Sequence, residues 1–210
     1  MTENQTKFFL SQSRFNVYLA QKGNDFEKAY KLYQANIELS EAFYPVLAVL
    51  EVSLRNAINE RLKDYFNDPF WFRNFLPAEF QPFVMDAEQK IRTQHKNITA
   101  DRIIAELNFG FWNRLFNRHY TRLLWKPLRT IFPNTPKHLR QRDTIADALY
   151  RIRTLRNRVY HYEPIFRNLN DLEQQYKEML TFLTWLDHDL PKLIDGIDRF
   201  DNILTKAKAI

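Results

Sequence analysis

The stretch DTIADALYRIRTLRNRVYHY (residues 143–162) decides how the chain is read. At about 100° per residue, Ile145, Ala148, Leu149, Ile152, Leu155 and Val159 fall on one stripe, the i, i+3, i+4, i+7 spacing of a helix that buries one face. Asn157 and His161 lie four residues apart on a face roughly opposite that stripe, with Arg153 close to it. Arg156 falls at the stripe's edge, where a guanidinium without a partner would be costly to bury. Pro164 follows and cannot continue the helix, so His161 belongs to a helix end rather than a helix middle.

The same period recurs along the chain, and nothing alternates convincingly with period two. Only 3 glycines stand against 45% apolar residues in 210, too few for a sheet-rich fold with many tight turns. The expectation is an all-α, single-domain protein over residues 1–210. Asn24 and Glu27 read as a capping box that opens a helix near Asp25, running toward Glu41 and broken near Pro45. The apolar run VLAVLEVSLRNAINERLKDYF (46–66) is a second helix, and NDPFWFRNFLP (67–77) a loop with a helical turn. Further helices are expected near 79–95 and 99–108, with Thr99 as a cap and Gly110 as a C-terminal stop. Shorter ones should occupy 111–131, Asn170 should cap DLEQQYKEMLTFLTWLDHDL (171–190), and Pro191 should open the last.

There is no cysteine, which excludes disulfides, cysteine-ligated zinc and a thiol nucleophile, and is compatible with a reducing cytosol. No apolar run reaches membrane-spanning length, and MTENQTKFF at the N-terminus has no signal-peptide character, so a cytoplasmic protein without a membrane partner is expected. No phosphate-cradling glycine loop or GxSxG elbow is present, and the histidines lack metal-site spacing, so neither metal nor cofactor is expected. His95, His119, His138 and His188 read as exposed and incidental.

Charge is concentrated. Residues 114–158 hold 12 Lys/Arg and 2 Asp/Glu, whereas the rest of the chain holds 19 and 23. That is the footprint of a polyanion partner, or else of several basic solvated faces. Arg114, Arg118, Arg122 and Lys126 recur every four residues and would form a phosphate track if their segment is one continuous helix. The tryptophans and the FGFW run fit core packing better than base-stacking platforms. Leu47, Leu50, Leu54 and Ile58 make a second core stripe with Glu51 inside it. A carboxylate there calls for a cation, either Arg156 or Arg55 one turn along its own helix; the alternative is a stripe-edge side chain reaching water. His161 carries the side chain best suited to proton transfer near neutral pH, and Asn157 and the nearby arginines add neutral donors and phosphate-binding charge.

The segment LRNRVYHYEPI (155–165) resembles the signature of the HEPN superfamily, an arginine, a polar residue, three variable positions and a histidine. YQANIELSEAFYPVLAVLEVSLRNAI (33–58), ELNFGFWNRLF (106–116) and LRQRDTIADALYRIRTLRNRVYHYEPI (139–165) resemble, in order and spacing, the bacterial Abi-like proteins of phage abortive infection. The likeness spans about residues 30–165. It departs at Tyr160 and Tyr162, where relatives often carry small residues or a second histidine, so no second imidazole is supported here. The resemblance implies a HEPN-type helical bundle with additional helices, a homodimer, and a metal-independent endoribonuclease whose two motifs face each other across a cleft. Carried over, Arg156, Asn157 and His161 form the catalytic set. Glu51, Arg55 and Arg153 would support it, and Arg114, Arg118, Arg122, Lys126 and Arg158 would bind RNA. An antitoxin or a regulatory RNA or protein is a further implied partner. The rival expectation is an inactive HEPN-type module that binds RNA or protein; a third is a dimerisation scaffold whose basic segment binds DNA.

Overall fold

Helix is the only regular structure the chain forms. The computed structural model describes residues 1–210 and contains no strand. In chain order the α-helices are α1 (Glu3–Leu10), α2 (Gln12–Gln21), α3 (Phe26–Ala42), α4 (Tyr44–Phe66), α5 (Trp71–Asn74), α6 (Gln81–Thr93), α7 (Ala100–Glu106), α8 (Phe109–Arg114), α9 (Lys126–Leu128), α10 (Arg142–Tyr160), α11 (Leu169–Leu186) and α12 (Phe200–Lys208). The all-α class holds, and no helix is long and apolar enough to cross a membrane.

Caps explain where the helices begin, and two of them shift from the sequence expectation. Asp25, not Asn24, caps α3: its carboxylate accepts the Lys28 N–H at 3.1 Å, while Asn24 turns the chain with φ +62°. Asn168, not Asn170, caps α11, accepting from the Asp171 N–H at 3.1 Å. Thr99 caps α7 as expected. Gly110 is not a helix stop. The Asn108 side chain caps a new helix through the Phe111 N–H, and Gly110 lies inside α8.

The contacts group the chain into two compact units. Unit 1 comprises Met1–Leu47, Thr154–Lys177 and Ile194–Ile210; unit 2 comprises Ala48–Arg153 and Glu178–Leu193. Helices α4, α10 and α11 each contribute residues to both.

In unit 1, α3 packs against α2 and α12. It buries Ala29, Leu32, Ala35 and Leu39, one helical stripe. An aromatic knot joins the end of α3 to α11 and α12: Phe43 lies 5.0 Å from Phe200 and 5.5 Å from Tyr176, and Tyr176 stacks on Phe200 at 3.9 Å. In unit 2, α6 packs on α7, and Trp71, Phe80, Phe111 and Trp112 form a continuous aromatic cluster. Phe109, Phe111 and Trp112 are buried, which makes the FGFW run core rather than stacking platform. The indoles are anchored too: Trp71 donates to Asn59 Oδ1 at 3.0 Å and Trp112 to the Leu107 carbonyl at 3.2 Å.

The opening stretch is α10. Ile145, Leu149, Ile152, Leu155 and Val159 are all buried, with Ala148 at the margin, and each large member contributes about 1.5–3 kcal/mol on burial. Leu47, Leu50, Leu54 and Ile58 of α4 are fully buried as well.

Candidate functional site

The C-terminal end of α10 is shaped by a cap that its sequence disguises. The helix leaves by a Schellman turn: the Glu163 N–H donates to the Arg158 carbonyl at 2.9 Å and the Tyr162 N–H to the Val159 carbonyl at 3.1 Å. Such a turn needs a left-handed residue, usually glycine. Here it is Tyr162, with φ +57°. His161 is thereby placed at the helix terminus itself, with its own N–H still bonded to the Asn157 carbonyl at 2.9 Å.

Three features hold the turn that follows. Arg158 donates from Nη2 to the Pro164 carbonyl, and its Nε lies 3.9 Å from the Glu163 carboxylate. Asn36, buried in α3, donates to the Glu163 carbonyl at 3.3 Å and accepts the Ile165 N–H at 2.7 Å. One amide side chain thus satisfies two backbone groups that would otherwise be orphaned. The guanidinium of Arg158, expected on RNA, is engaged in this clamp.

Within the motif, Arg156 is half-buried and its Cζ lies 4.2 Å from the Tyr160 ring centroid, a cation–π contact one turn along the helix. Its Nη1 is 3.5 Å from Asn157 Oδ1. Asn157 is half-buried, and His161 is exposed with no hydrogen bond or ion pair for its ring within the chain. The motif therefore offers a positioned guanidinium, an amide beside it and an unpartnered imidazole. Next to it in unit 1 is a mainly apolar groove of about 660 Å³ lined by Tyr33, Ile37, Tyr44, Val159, Tyr160 and Tyr162, with Asn36 and Arg14 among its polar contributors. Ile37, Tyr44 and Tyr162 are exposed in it.

Apart from Arg158, which belongs to unit 1, the supporting and RNA-binding candidates fall in unit 2. Glu51 and Arg55 are half-buried one turn apart on α4, and Arg55 Nε donates to Asn56 Oδ1 at 3.2 Å. The proposed cationic track of Arg114, Arg118, Arg122 and Lys126 is not one helical ridge. After α8 ends at Arg114 the chain makes a 3-10 turn over Arg118–Tyr120, a π-helical turn over Thr121–Trp125, and only then α9. Those changes of pitch break the four-residue register. Arg114 and Arg118 instead join Arg153 around a cleft of about 610 Å³, together with Arg142. His95, His119, His138 and His188 are exposed, and no group of three His, Asp or Glu side chains is placed to hold a metal ion.

Sequence reading missed Asn36, Tyr162 and Arg142. Asn36 was signalled by a polar residue inside the α3 stripe. Tyr162 carried no signal, because a left-handed tyrosine is invisible without the backbone. Arg142 was one cation among many. Comparison with protein families, with characterised proteins and with solved structures finds no match.

Proposed function

We propose that the chain is a HEPN-type endoribonuclease of the Abi-like kind, acting in phage abortive infection or as a toxin, with Arg156, Asn157 and His161 as its reactive set. The observation that carries this reading is the exposed, unpartnered imidazole of His161 at the capped end of α10, one turn beyond an amide that sits against a positioned guanidinium. RNA supplies its own nucleophile. The 2′-oxygen attacks phosphorus while a base takes its proton, the P–O5′ bond breaks, and an acid protonates the departing 5′-oxygen. The products are a 2′,3′-cyclic phosphate and a 5′-hydroxyl. Arg156 stabilises charge on the phosphorane oxygens, and Asn157 orients the phosphate or the ring.

One chain brings one imidazole to this motif, so the base and acid come from His161 of two copies. The apolar groove beside the motif, with Ile37, Tyr44 and Tyr162 exposed, is surface that a second copy would cover. An antitoxin or a regulatory RNA or protein would restrain such an enzyme in the cell.

The test is cleavage of end-labelled RNA in EDTA by the full chain beside His161→Ala. Loss of cyclic-phosphate product by about 10²–10⁴-fold, with unchanged circular dichroism and mass in solution, is expected. Equal cleavage by both proteins removes His161 from the mechanism. The unpaired arginines of unit 2 favour one other reading, an RNA-binding module that cleaves nothing; it predicts tight binding by both proteins and cleavage by neither.

A further inference from the structure

The cleft in unit 2 gathers four guanidiniums, of which only Arg142 is in an ion pair, although the Glu79 carboxylate lies within electrostatic reach of Arg114. Arg114, Arg118 and Arg153 all line it, and none of the three makes a hydrogen bond or an ion pair within the chain. Arg142 completes the wall, but its Nη1 is held by the Phe116 carbonyl at 2.8 Å and its Nη2 by Asp143, so it builds the cleft rather than waiting for a ligand. The one carboxylate on the wall, Asp147, is in no ion pair with any of these arginines. Three like charges around one cavity repel one another, and an anion placed among them relieves that repulsion.

Two further features make the cleft more than a basic patch. Gly110 lies on its wall, and a Cβ there would meet Arg153 Nη2 at 3.4 Å, so the missing side chain lets that guanidinium lie against the backbone of α8. Aromatic rings stand beside the cations: Phe83, over which Arg114 lies at 6.0 Å, and Tyr150, which is 66% exposed. Guanidiniums for a phosphate and rings for a base, in a volume that admits a nucleotide, are the two halves of single-strand recognition.

We propose that this cleft holds one nucleotide of a single-stranded RNA, its phosphate on Arg114, Arg118 and Arg153 and its base against Phe83 and Tyr150. The choice of RNA rests on the ribonuclease reading; the phosphate-and-base chemistry does not. Arg122 and Lys126 lie outside the cleft wall and contribute only diffuse charge.

The experiment measures binding of a fluorescently labelled single-stranded RNA 12-mer by anisotropy, using the full chain carrying His161→Ala, across a range of KCl concentrations. Arg118→Gln with Arg153→Gln should weaken binding at least tenfold and flatten the log–log salt slope by about 1.4. Arg122→Gln with Lys126→Gln removes the same charge and should weaken it less than threefold. Tyr150→Ala should weaken it several-fold without changing the salt slope. Equal losses for the two charge pairs, no loss for the cleft pair, or no RNA binding by the parent overturns the proposal. If the wild-type chain cleaves RNA through His161 while the cleft pair binds normally, only this proposal fails. If nothing is cleaved and the cleft pair still loses binding, the cleft stands and the ribonuclease reading fails.

Discussion

Tyr162 occupies a backbone position that ordinarily belongs to glycine. A left-handed φ costs a residue with a side chain about 1–2 kcal/mol, and its ring is 74% exposed, so little packing offsets the cost. Glycine there would lose somewhat more chain entropy on folding. Tyr162→Gly is therefore expected to stabilise the protein by about 0.5–1 kcal/mol in urea denaturation; a net loss would show that the ring packs in the groove it lines. Asn36 is the opposite case. It is 3% exposed and answers both the Glu163 carbonyl and the Ile165 N–H. Asn36→Ala leaves both unpaired and should cost about 2–3 kcal/mol, seen as a fall in Tm of roughly 5–10 °C. The proposed cleavage should fall with it even below the melting range, because the turn that places His161 loses its clamp. That Arg156, Asn157 and His161 lie in the last turns of one helix was legible in the sequence, because helical period and a following proline are local facts. The clamp was not, since Asn36 and Glu163 stand 127 positions apart.

At the scale of elements, α11 and α12 are tied by a titratable pair. Glu173 accepts from Lys177 and Lys208 Nζ, each at 2.6 Å, and these two hydrogen bonds, Lys177's first, hold its carboxyl down to about 2. A carboxyl depressed below its unfolded value of 4.5 stabilises the fold fully above that value, and the contribution is lost as pH falls from 4.5 toward about 2. Hydrogen-exchange protection factors at the end of α12, at Leu204 and Ala207, normalised to the intrinsic exchange rate at each pH, should fall across that window, and Glu173→Gln should remove this pair's share of the fall. In α8, a Cβ at Gly110 would lie 2.9 Å from Asn108 Oδ1, the atom that caps the helix. Losing the cap costs about 1 kcal/mol, more than the helix gains from alanine so near its start, so Gly110→Ala should be mildly destabilising by thermal melt. The helices were readable from periodicity, but Gly110 read as a stop because its real constraint is a neighbouring side chain. The segment 118–131 carried the right residues for a ridge, but its 3-10 and π turns leave no mark in the four-residue spacing of its cations.

For the whole molecule, the proposed chemistry has a stoichiometric signature. If His161 of two copies act on one phosphate, inactive His161→Ala chains mixed and re-equilibrated with wild type should suppress activity as the square of the wild-type fraction. An equal mixture would then retain about one quarter of the activity, whereas chains acting alone would retain about half. Light scattering across the same concentrations would show whether mass and activity rise together. The net charge of +6, concentrated in residues 114–158, adds a second whole-molecule expectation: RNA affinity falling steeply with salt.

The sequence by itself determined the all-helical class, the buried faces of α4 and α10, the burial of the FGFW run and the location of the excess positive charge. Each follows from composition or from a period of a few residues, and burying an apolar stripe leaves a helix little choice about which face turns inward. Only the tertiary structure decided that Arg114, Arg118 and Arg153 share a cleft while Arg122 and Lys126 stand outside it. It alone decided that Arg158 clamps a turn and that a tyrosine takes a glycine's conformation beside the candidate imidazole. Those outcomes depend on which distant residues packing brings within a few ångströms, and no local period encodes that.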